Sequence, residues 1–468
     1  MNKKQLRQLG VPEEAISTAV ACIHAAAKAG ALRTVRPKTL LPEIVAQPDD
    51  HLQHAIFGPL AKTLIELRQV PAETEPIEFA QFGDDIDDAC REQMRNACRL
   101  PMAVGAALMP DAHLGYGLPI GGVLACENAV VPYAVGVDIA CRMRLTITDL
   151  PADRVDRNDA GECAKLDESL QRGTCFGKGK GWQRPYDHDV LDEDWSVTPI
   201  TRHVREKAAQ QLGTSGSGNH FVEWGLVQLP HDDLGLTAGT YVGLLSHSGS
   251  RGPGAQVCKR YTDIAMQQLA PRYRNDGGLK HLAWLNLDQE AGQEYWLAMN
   301  LMGRFAAANH EVIHRNVTRR AGAKALAVVE NHHNFAWKET LGGRQLVVHR
   351  KGATPAAAGD LGVIPGSMAS PAFIVRGKGD PQSLHSASHG AGRRMSRKAA
   401  KDQFRWSMWK TPLREQRVRL LAGGLDEVPG AYKDIHDVMA AQADLVETIG
   451  EFHPRIVMMC GDGSPAED

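Results

Sequence analysis

The chain has 468 residues, of which 43% are hydrophobic, and its formal net charge at neutral pH is −2. This length allows one large domain and a smaller one. The charge excludes nucleic-acid binding through a global positive field, so any such binding needs a local basic patch. The nine cysteines are scattered and odd in number, which argues against a disulfide framework.

Neither a signal peptide nor a membrane span is expected from the apolar pattern. The basic start at residues 1–5 is not followed by an apolar segment, and no apolar run has the length of a membrane-spanning helix. We therefore expect a soluble, cytoplasmic protein with no membrane partner.

Helical periodicity dominates the first part of the chain. Apolar residues recur at intervals of three and four within residues 1–75, as at Ile16, Ala19 and Ile23. A polar, proline-containing segment follows at residues 70–76 and predicts a linker. We therefore predict a helical N-terminal extension at residues 1–75 and a larger domain at residues 76–468.

The larger domain begins with a predicted helix at 84–99, which is acidic at its start and basic towards its end, as the helix dipole favours. After residue 100, short apolar runs broken by Gly and Pro are typical of buried strands joined by tight turns. The longest helix is predicted at 288–319, with core positions at Trp296, Met299, Leu301, Phe305 and Ile313. The clearest predicted strands are 121–125, 143–148, 325–330 and 345–349. The mixture predicts an α/β fold.

Five residues in this domain have side chains that suit a metal site. Asp138 and Cys141 are three residues apart, and His220, His247 and His333 follow in contexts rich in Gly, Ser or Asn. A thiolate, a carboxylate and imidazoles are the ligands that borderline-soft divalent metals prefer, and a thiolate can bridge two cations. Each residue alone is also compatible with a structural role, such as a buried cysteine that packs as a small apolar residue.

The segment Pro110-Asp111-Ala-His113 has two interpretations. It can form a turn held by local hydrogen bonds, or its carboxylate can support imidazoles that bind a metal. Two other site types are excluded. No Cys-x-x-Cys pair exists for a zinc ribbon, and Gly177–Gly181 lacks the spacing of a phosphate-binding P-loop.

His389 begins a Gly-rich segment, His389-Gly-Ala-Gly-Arg393, that is predicted to open a helix. A neutral imidazole can attack a phosphorus atom and form a phosphoramidate. Gly390 and Gly392 would allow the backbone to approach that phosphate at the helix start. The structural alternative is an ordinary polar helix start capped by a serine, and the two candidate caps are Ser386 and Ser388.

Two further features suggest phosphate or nucleic-acid contacts. Arg251 follows a run of small residues and can supply a bidentate phosphate contact. The helix predicted after His389 carries several Lys and Arg residues, followed by Trp406 and Trp409. This stretch is either a nucleic-acid-facing stripe with stacking platforms or, more commonly, a solvated helix face.

The order of these motifs resembles the RtcB-type RNA ligase family over about residues 80–461. The matching segments are 109–122, 135–141, 213–221, 246–252, 333–334, 348–354, 364–368, 388–397 and 431–434. The resemblance implies an α/β fold with a central pair of packed β-sheets flanked by helices, to which residues 1–75 are an addition.

The resemblance also implies a site. Two Mn²⁺ ions would be bridged by Cys141, with Asp138, His220, His247 and His333 as the other ligands. His389 would be guanylylated by GTP, and Tyr432 would stack on the purine. The residues expected to contact the nucleotide are Asn219, Glu223, Arg251, Asn334, Ser367, Gly390, Gly392, Arg393 and Tyr432.

The implied activity is RNA repair or tRNA splicing, in which RNA 3′-phosphate or 2′,3′-cyclic phosphate ends are joined to 5′-hydroxyl ends. Two alternatives stay open. One is a nucleotidyltransferase that caps 3′-phosphates, or a phosphodiesterase, without sealing; the other is a non-catalytic RNA-binding paralogue. Residues 457–463 contain no lysine where the family commonly has one, which leaves the choice between guanine and adenine open. The need for an activating protein partner is also open.

Overall fold

The computed structural model describes residues 1–69, 75–156 and 160–463, so residues 70–74 of the predicted linker lie outside the described residues. Internal packing divides the chain into two compact units. The first comprises Met1–Glu75 with Gln268–Lys280, and the second comprises Pro76–Gln267 with His281–Asp468. The division into a helical extension at residues 1–75 and a domain at residues 76–468 stays a prediction. No helix among the described residues has the length and apolar character needed to span a membrane.

The helices follow the predicted periodicity. The described α-helices are α1 (Lys3–Gln8), α2 (Ile16–Lys28), α3 (Pro37–Ala46), α4 (Gly58–Gln69), α5 (Asp88–Cys98), α6 (Pro132–Val135), α7 (Asp153–Asp156), α8 (Ala160–Gly173), α9 (Pro199–Gln211), α10 (Arg251–Gln268), α11 (Pro271–Arg274), α12 (Glu290–Ala321), α13 (Arg397–Gln403), α14 (Trp406–Glu415) and α15 (Ile435–Ala440). On α2, Ile16, Ala19 and Ile23 are buried on one face, in the core of the first unit. On α12, the predicted core residues are buried except Trp296, which is partly exposed.

The prediction that a helix opens at His389 is wrong. Helix α13 begins only at Arg397, and the hydroxyl of Ser396 caps it by accepting a hydrogen bond from the Ala399 N–H. The basic stretch is therefore divided between an irregular segment and two short helices. Trp406 and Trp409 pack against buried apolar clusters, so they contribute to the core and are not free stacking platforms.

All the described strands lie in the second unit. They are β1 (Ala80–Gln81), β2 (Ala103–His113), β3 (Ile120–Cys126), β4 (Ala129–Val130), β5 (Arg142–Thr148), β6 (Phe221–Leu229), β7 (Gly239–Ser248), β8 (Leu285–Asn286), β9 (Ala325–His332), β10 (Phe335–Leu341), β11 (Arg344–Lys351), β12 (Ala353–Pro355), β13 (Leu361–Pro365), β14 (Ala372–Gly377), β15 (Ser386–Ser388), β16 (Arg419–Ala422) and β17 (Val446–Met459). The four strands predicted from apolar runs lie within β3, β5, β9 and β11. Ser386 and Ser388, considered above as helix caps, belong to β15.

Two main sheets share a hydrophobic core. The five-stranded sheet has the order β1-β2-β3-β11-β10, and the eight-stranded sheet has the order β13-β14-β17-β6-β7-β5-β9, with β16 paired to β17. Ala107, Val123 and Val348 of the first sheet join Ile364 and Val375 of the second in one buried cluster. Helices α8 and α12 cover another face of the second sheet. The predicted α/β fold with two packed sheets flanked by helices is confirmed.

Candidate active site

Strand register brings the predicted metal ligands together in the eight-stranded sheet, at the level where β5 and β6 begin and β7 and β9 end. His247 of β7 pairs with Phe221 of β6 on one side and Met143 of β5 on the other. Arg142, the first residue of β5, pairs with His332, the last residue of β9. Four of the predicted ligands are either one of these paired residues or the residue next to one in the chain. They are Cys141, His220, His247 and His333.

The ligand atoms form two groups that share one sulfur. In the first group, His247 Nε2 lies 3.1 Å from Cys141 Sγ and 3.2 Å from His333 Nε2. In the second, His220 Nε2 lies 3.4 Å from Cys141 Sγ and 3.2 Å from Asp138 Oδ2. All five side chains are buried, and within each group the ligand atoms lie within 4.8 Å of one another.

Backbone carbonyls orient two of the imidazoles. Nδ1 of His247 lies 3.2 Å from the Asn219 carbonyl, and Nδ1 of His220 lies 2.9 Å from the Ser215 carbonyl. A proton on Nδ1 of His247 leaves its Nε2 with a free lone pair, which is the arrangement of a metal-binding histidine. Burial and the neighbouring His220 lower the pKa of His247 to about 3, so its imidazole is neutral, as a ligand must be. The donor set therefore fits two cations that share a thiolate.

Asp138 is held close to these imidazoles by the backbone of a neighbouring loop. A Cβ on Gly249 would lie 2.2 Å from Asp138 Oδ2, so this loop position requires glycine. Burial acts to raise the pKa of the Asp138 carboxyl, but the hydrogen bond and charge of His220, with Arg251, lower it below its ordinary value. Arg251 Nη1 lies 3.1 Å from His220 Nδ1 and 4.0 Å from Asp138 Oδ2. Arg251 thus contacts two of the candidate ligands, His220 and Asp138.

His389 follows β15 and is oriented by a buried carboxylate. Asp111 Oδ2 lies 2.7 Å from His389 Nδ1 and also accepts the backbone N–H of His389 at 3.2 Å. With the Nδ1 proton donated to Asp111, the Nε2 lone pair of His389 is free. A Cβ on Gly392 would lie 2.1 Å from the Asp111 carbonyl oxygen, so glycine permits this approach. The His389 ring lies 4.8 Å from that of His333, which places the candidate nucleophile beside the first ligand group.

Helix α12 holds the two loops that carry His220 and His247. Asn309 Oδ1 accepts the backbone N–H groups of Gly213 at 2.7 Å and Thr214 at 3.1 Å, before His220. Its Nδ2 donates to the Thr214 carbonyl at 3.0 Å and contacts Ser248 Oγ at 3.3 Å and the Gly249 carbonyl at 3.4 Å, after His247. One fully buried amide therefore fixes both loops.

A chain of buried hydrogen bonds extends this support. Thr146 donates to His314 Nδ1 at 2.7 Å, and His314 Nε2 donates to Ser246 Oγ at 2.8 Å. Ser246 in turn donates to His310 Nδ1 at 2.7 Å, and His310 Nε2 donates to the Ser248 carbonyl at 3.0 Å. This direction satisfies every donor and acceptor only if both imidazoles are neutral. Burial lowers the pKa of both well below the ordinary value.

The ligands and His389 open into a cavity of about 540 Å³. It is lined by these predicted nucleotide-contact residues: Asn219, Glu223, Asn334, Ser367, Gly390, Gly392, Arg393 and Tyr432. Arg251 is not among the lining residues. Burial raises the pKa of the Glu223 carboxyl well above its ordinary value.

Tyr432 is fixed in place from two sides. The Arg393 guanidinium lies 5.3 Å from the centre of the Tyr432 ring, and the Tyr432 hydroxyl donates to Glu427. Arg393 Nη1 also lies 3.4 Å from a Glu427 oxygen. Because the guanidinium covers one face of the ring, a purine that stacks on Tyr432 would use the opposite face. Stacking itself stays a prediction.

Sequence reasoning missed two groups of site residues. Asp111 was singled out, but its contact with His389 joins residues 278 positions apart, which no local pattern reveals. Asn309, His310 and His314 had a readable signal, since polar side chains interrupt the apolar face of the longest helix. Such residues need buried partners, and a cluster of them on one helix face indicates an organised polar network.

The chain is similar in sequence to known proteins over most of its length. The family model for the tRNA-splicing ligase RtcB matches residues 93–195 and 191–460. The RNA-splicing ligase RtcB of Escherichia coli strain K12 is 33% identical over 400 residues, which cover 81% of this chain and 95% of that protein. The tRNA-splicing ligase RtcB of Thermococcus kodakarensis is 31% identical, covering 78% and 90% respectively. The RNA-splicing ligase RtcB of Mycobacterium tuberculosis is 31% identical, covering 77% and 98%. The chain therefore belongs to the RtcB family of RNA-splicing ligases.

Proposed function

We propose that this protein is an RNA ligase that uses GTP and two Mn²⁺ ions to join RNA 3′-phosphate or 2′,3′-cyclic phosphate ends to 5′-hydroxyl ends, in RNA repair or tRNA splicing. One observation carries the proposal: His389, oriented by Asp111, has a free Nε2 beside two ligand groups that share a thiolate. This combination of an activated nucleophile and a polynuclear metal site suits phosphoryl transfer.

The first step is assigned to His389. Its Nε2 attacks the α-phosphorus of GTP, the N–P bond forms, the bond between the α- and β-phosphates breaks, and pyrophosphate leaves. The imidazole gains positive charge as this bond forms. The carboxylate of Asp111, which accepts the Nδ1 proton in a hydrogen bond of 2.7 Å, stabilises that charge. The product is a phosphoramidate that keeps the GMP group reactive.

Two transfers complete the reaction. An oxygen of the RNA 3′-phosphate attacks the phosphorus on His389 and displaces the imidazole, giving an RNA end activated with GMP. The 5′-hydroxyl oxygen then attacks the RNA 3′-phosphorus, GMP leaves, and the hydroxyl proton is released. A cyclic phosphate end is first opened by water to the 3′-phosphate.

The proposed cations have a defined set of ligands. Cys141, His247 and His333 would hold one, and Asp138, Cys141 and His220 the other. Mn²⁺ bound there would neutralise phosphate charge and orient the reacting groups. Glu223, Ser367 and Tyr432 line the same cavity and would contact the nucleotide.

The direct test uses purified protein with Mn²⁺ and GTP labelled at the α-phosphate, with labelled ATP in parallel. We expect an acid-labile protein adduct from GTP, and joined RNA when 3′-phosphate and 5′-hydroxyl strands are added. His389→Ala should abolish the adduct but leave bound Mn²⁺ near the wild-type amount. The matched control is His203→Ala, because His203 is exposed on α9.

The alternatives give different results. An adduct without joined RNA would favour the 3′-capping transferase, and an adduct from ATP would change the nucleotide assignment. If Mn²⁺ binds and neither nucleotide labels the protein, the result favours a phosphodiesterase, a non-catalytic RNA-binding protein or a ligase that needs an activating partner. Cys141→Ser should lower the amount of bound Mn²⁺, because a hydroxyl is a poor replacement for a bridging thiolate.

A further inference from the structure

The loop between β2 and β3 presents two apolar side chains to solvent at the rim of the cavity. Leu114 and Tyr116 line the cavity, yet they are 55% and 67% exposed. Among the exposed large apolar side chains of the described residues, these two have the highest exposed fractions. Neither is needed to fill the core.

The backbone of this loop is held rigidly even though its side chains are free. The amide of Gln93, on α5, donates to the Gly115 carbonyl at 2.5 Å and accepts the Gly115 N–H at 3.1 Å. The ammonium of Lys351, at the end of β11, donates to the Tyr116 carbonyl. Three bonds from two other elements thus fix the position from which Leu114 and Tyr116 project.

The Tyr116 ring has an aromatic neighbour, although the residue is 67% exposed. The ring of His281 meets it nearly perpendicularly, with centroids 6.4 Å apart and an interplanar angle of 71°. His281 is itself in contact with Tyr133, at 5.9 Å. An aromatic ring that is held before binding loses little conformational entropy when a flat group stacks on it.

The same loop is connected to the candidate nucleophile through β11 and the residue after it. Lys351 bonds to Tyr116, and the next residue is Gly352, where a Cβ would lie 3.2 Å from His389 Cε1. Lys351 also lines the cavity, so a cation lies beside the loop. Burial lowers its pKa to about 8, which leaves it mostly charged at neutral pH.

An open aromatic face, an adjacent aliphatic side chain and a nearby cation match the chemistry of a nucleotide, with its flat base and charged phosphodiester. We propose that Leu114 and Tyr116 form a subsite for the RNA strand that ends in a 3′-phosphate. The subsite stacks on the base of the terminal nucleotide of that strand. This inference rests on the proposed function and names how its substrate end is held. Because every base has a flat face, the subsite accepts any terminal base.

The test measures binding of a short single-stranded RNA with a 3′-phosphate, by fluorescence anisotropy, to the full-length protein loaded with Mn²⁺. We expect Tyr116→Ala to weaken this binding about tenfold, within the range found when stacking aromatics are removed. Tyr116→Phe should bind as the wild type does, because the ring is retained. The matched control is Met408→Ala, since Met408 is 53% exposed and lies outside the cavity lining.

A second RNA without a base on its terminal nucleotide isolates the contact. The wild type should bind this RNA about tenfold more weakly than the complete RNA, and Tyr116→Ala should bind both equally. Equal binding of both RNAs by the wild type, or an unchanged affinity in Tyr116→Ala, would overturn the subsite. So would Tyr116→Ala weakening both RNAs to the same degree, because the loss would not involve the base.

The nucleotide adduct separates this inference from the proposed function. A base-dependent binding difference without any adduct in the wild type would refute the ligase mechanism and leave the RNA subsite standing. An adduct in the wild type with no base-dependent difference in RNA binding would support the ligase mechanism and refute the RNA subsite.

Discussion

The contact between Asp111 and His389 determines which nitrogen of the candidate nucleophile is free. The carboxylate accepts from Nδ1 and from the backbone N–H of the same residue, so it fixes both the ring and the loop. Asp111 is fully buried, which strengthens the hydrogen bond and keeps water from competing for it.

Asp111→Asn should therefore impair the first chemical step. The amide has nearly the shape of the carboxylate but carries no charge, and it can present an N–H that favours the wrong imidazole tautomer. We expect the rate of adduct formation to fall about a hundredfold or more, with the protein still folded and Mn²⁺ still bound. Rapid-quench labelling with GTP measures this rate. An exposed acidic residue, Asp84, supplies the control Asp84→Asn; equal rates in the two variants would remove Asp111 from the mechanism.

At this scale the sequence predicted the residue types but not their partners. Cys141, His220, His247 and His333 stand in short recognisable motifs, and the structure brings all four together. The partner of His389 was not predicted, because a hydrogen bond across 278 positions leaves no periodic or local trace. The motif of Arg251 suggested a phosphate contact. Its guanidinium lies against His220 and Asp138, and the phosphate contact stays a prediction.

Helix α12 is the element that supports the candidate metal centre. Its side chains form hydrogen bonds with the loop before β6 and with the loop after β7. The distance between these two loops therefore depends on this one helix. Helices place side chains more accurately than loops do, which suits a site that must hold its ligands in a fixed arrangement.

Asn309→Ala should loosen both loops at once. The change leaves the buried N–H groups of Gly213 and Thr214 without their acceptor, which costs about 2–4 kcal/mol of stability. We expect a lower urea midpoint and weaker Mn²⁺ binding, measured by calorimetry on the folded variant. Asn300→Ala on the same helix is the control, because Asn300 bonds only within the helix, to the Trp296 carbonyl. If both variants bind Mn²⁺ equally well, Asn309 supports the fold and not the site.

The neutral histidines of α12 should make the protein sensitive to acid. Burial lowers the pKa of His314 well below the value of about 6.5 that it has in an unfolded chain. Below pH 6.5 the unfolded state therefore binds more protons than the folded state. The stability contributed by His314 is complete above that pH and is lost as the pH falls, by up to about 1.4 kcal/mol per pH unit.

His314→Gln tests this pH dependence. The variant should be less stable at pH 7.5, because a buried hydrogen-bond chain is broken, but its stability should fall less steeply between pH 6.5 and pH 5. Urea unfolding followed at several pH values measures the slope. His203→Gln, on the exposed face of α9, should keep the wild-type slope. Parallel pH profiles for wild type and His314→Gln would mean that His314 is not held neutral.

Element boundaries were predicted well where periodicity is long and poorly where a short motif was over-interpreted. Helix α12 was predicted at 288–319 and extends over Glu290–Ala321. The helix expected at His389 does not begin until Arg397, because Ser396 supplies the cap and residues 386–388 pair with β12 as a strand. Glycines near a phosphate-binding motif favour irregular backbone as much as a helix start.

For the whole molecule, the first compact unit includes residues from two parts of the chain. Residues 268–280 belong to the same unit as residues 1–75, and Leu269, Tyr273 and Leu279 in that segment are buried. Deleting residues 1–75 should therefore expose these side chains and reduce solubility. Replacing residues 268–280 with a short Gly-Ser linker in the same truncated chain should restore solubility. Gel filtration of both truncations decides this; a soluble, monodisperse first truncation would show that the segment does not need residues 1–75.

The fold class was predictable from the sequence, but the packing of distant segments and the strand order were not. Apolar runs and a long amphipathic helix indicated an α/β fold, and residues 1–75 carried a separate helical pattern. The return of residues 268–280 to the first unit was not predictable, because membership of a unit depends on long-range packing. The strand order of the eight-stranded sheet, in which β17 lies between β14 and β6, was not predictable for the same reason.

The position of Cys141 in both ligand groups has a consequence for damage to the protein. A thiolate at such a centre is also the side chain that peroxides oxidise most readily, and conversion to a sulfinic acid is irreversible in most proteins. Because one sulfur belongs to both groups, a single oxidation event would alter the ligand sets of both proposed cations at once. The 3% exposure of Cys141 shields this shared sulfur from oxidants in the solvent.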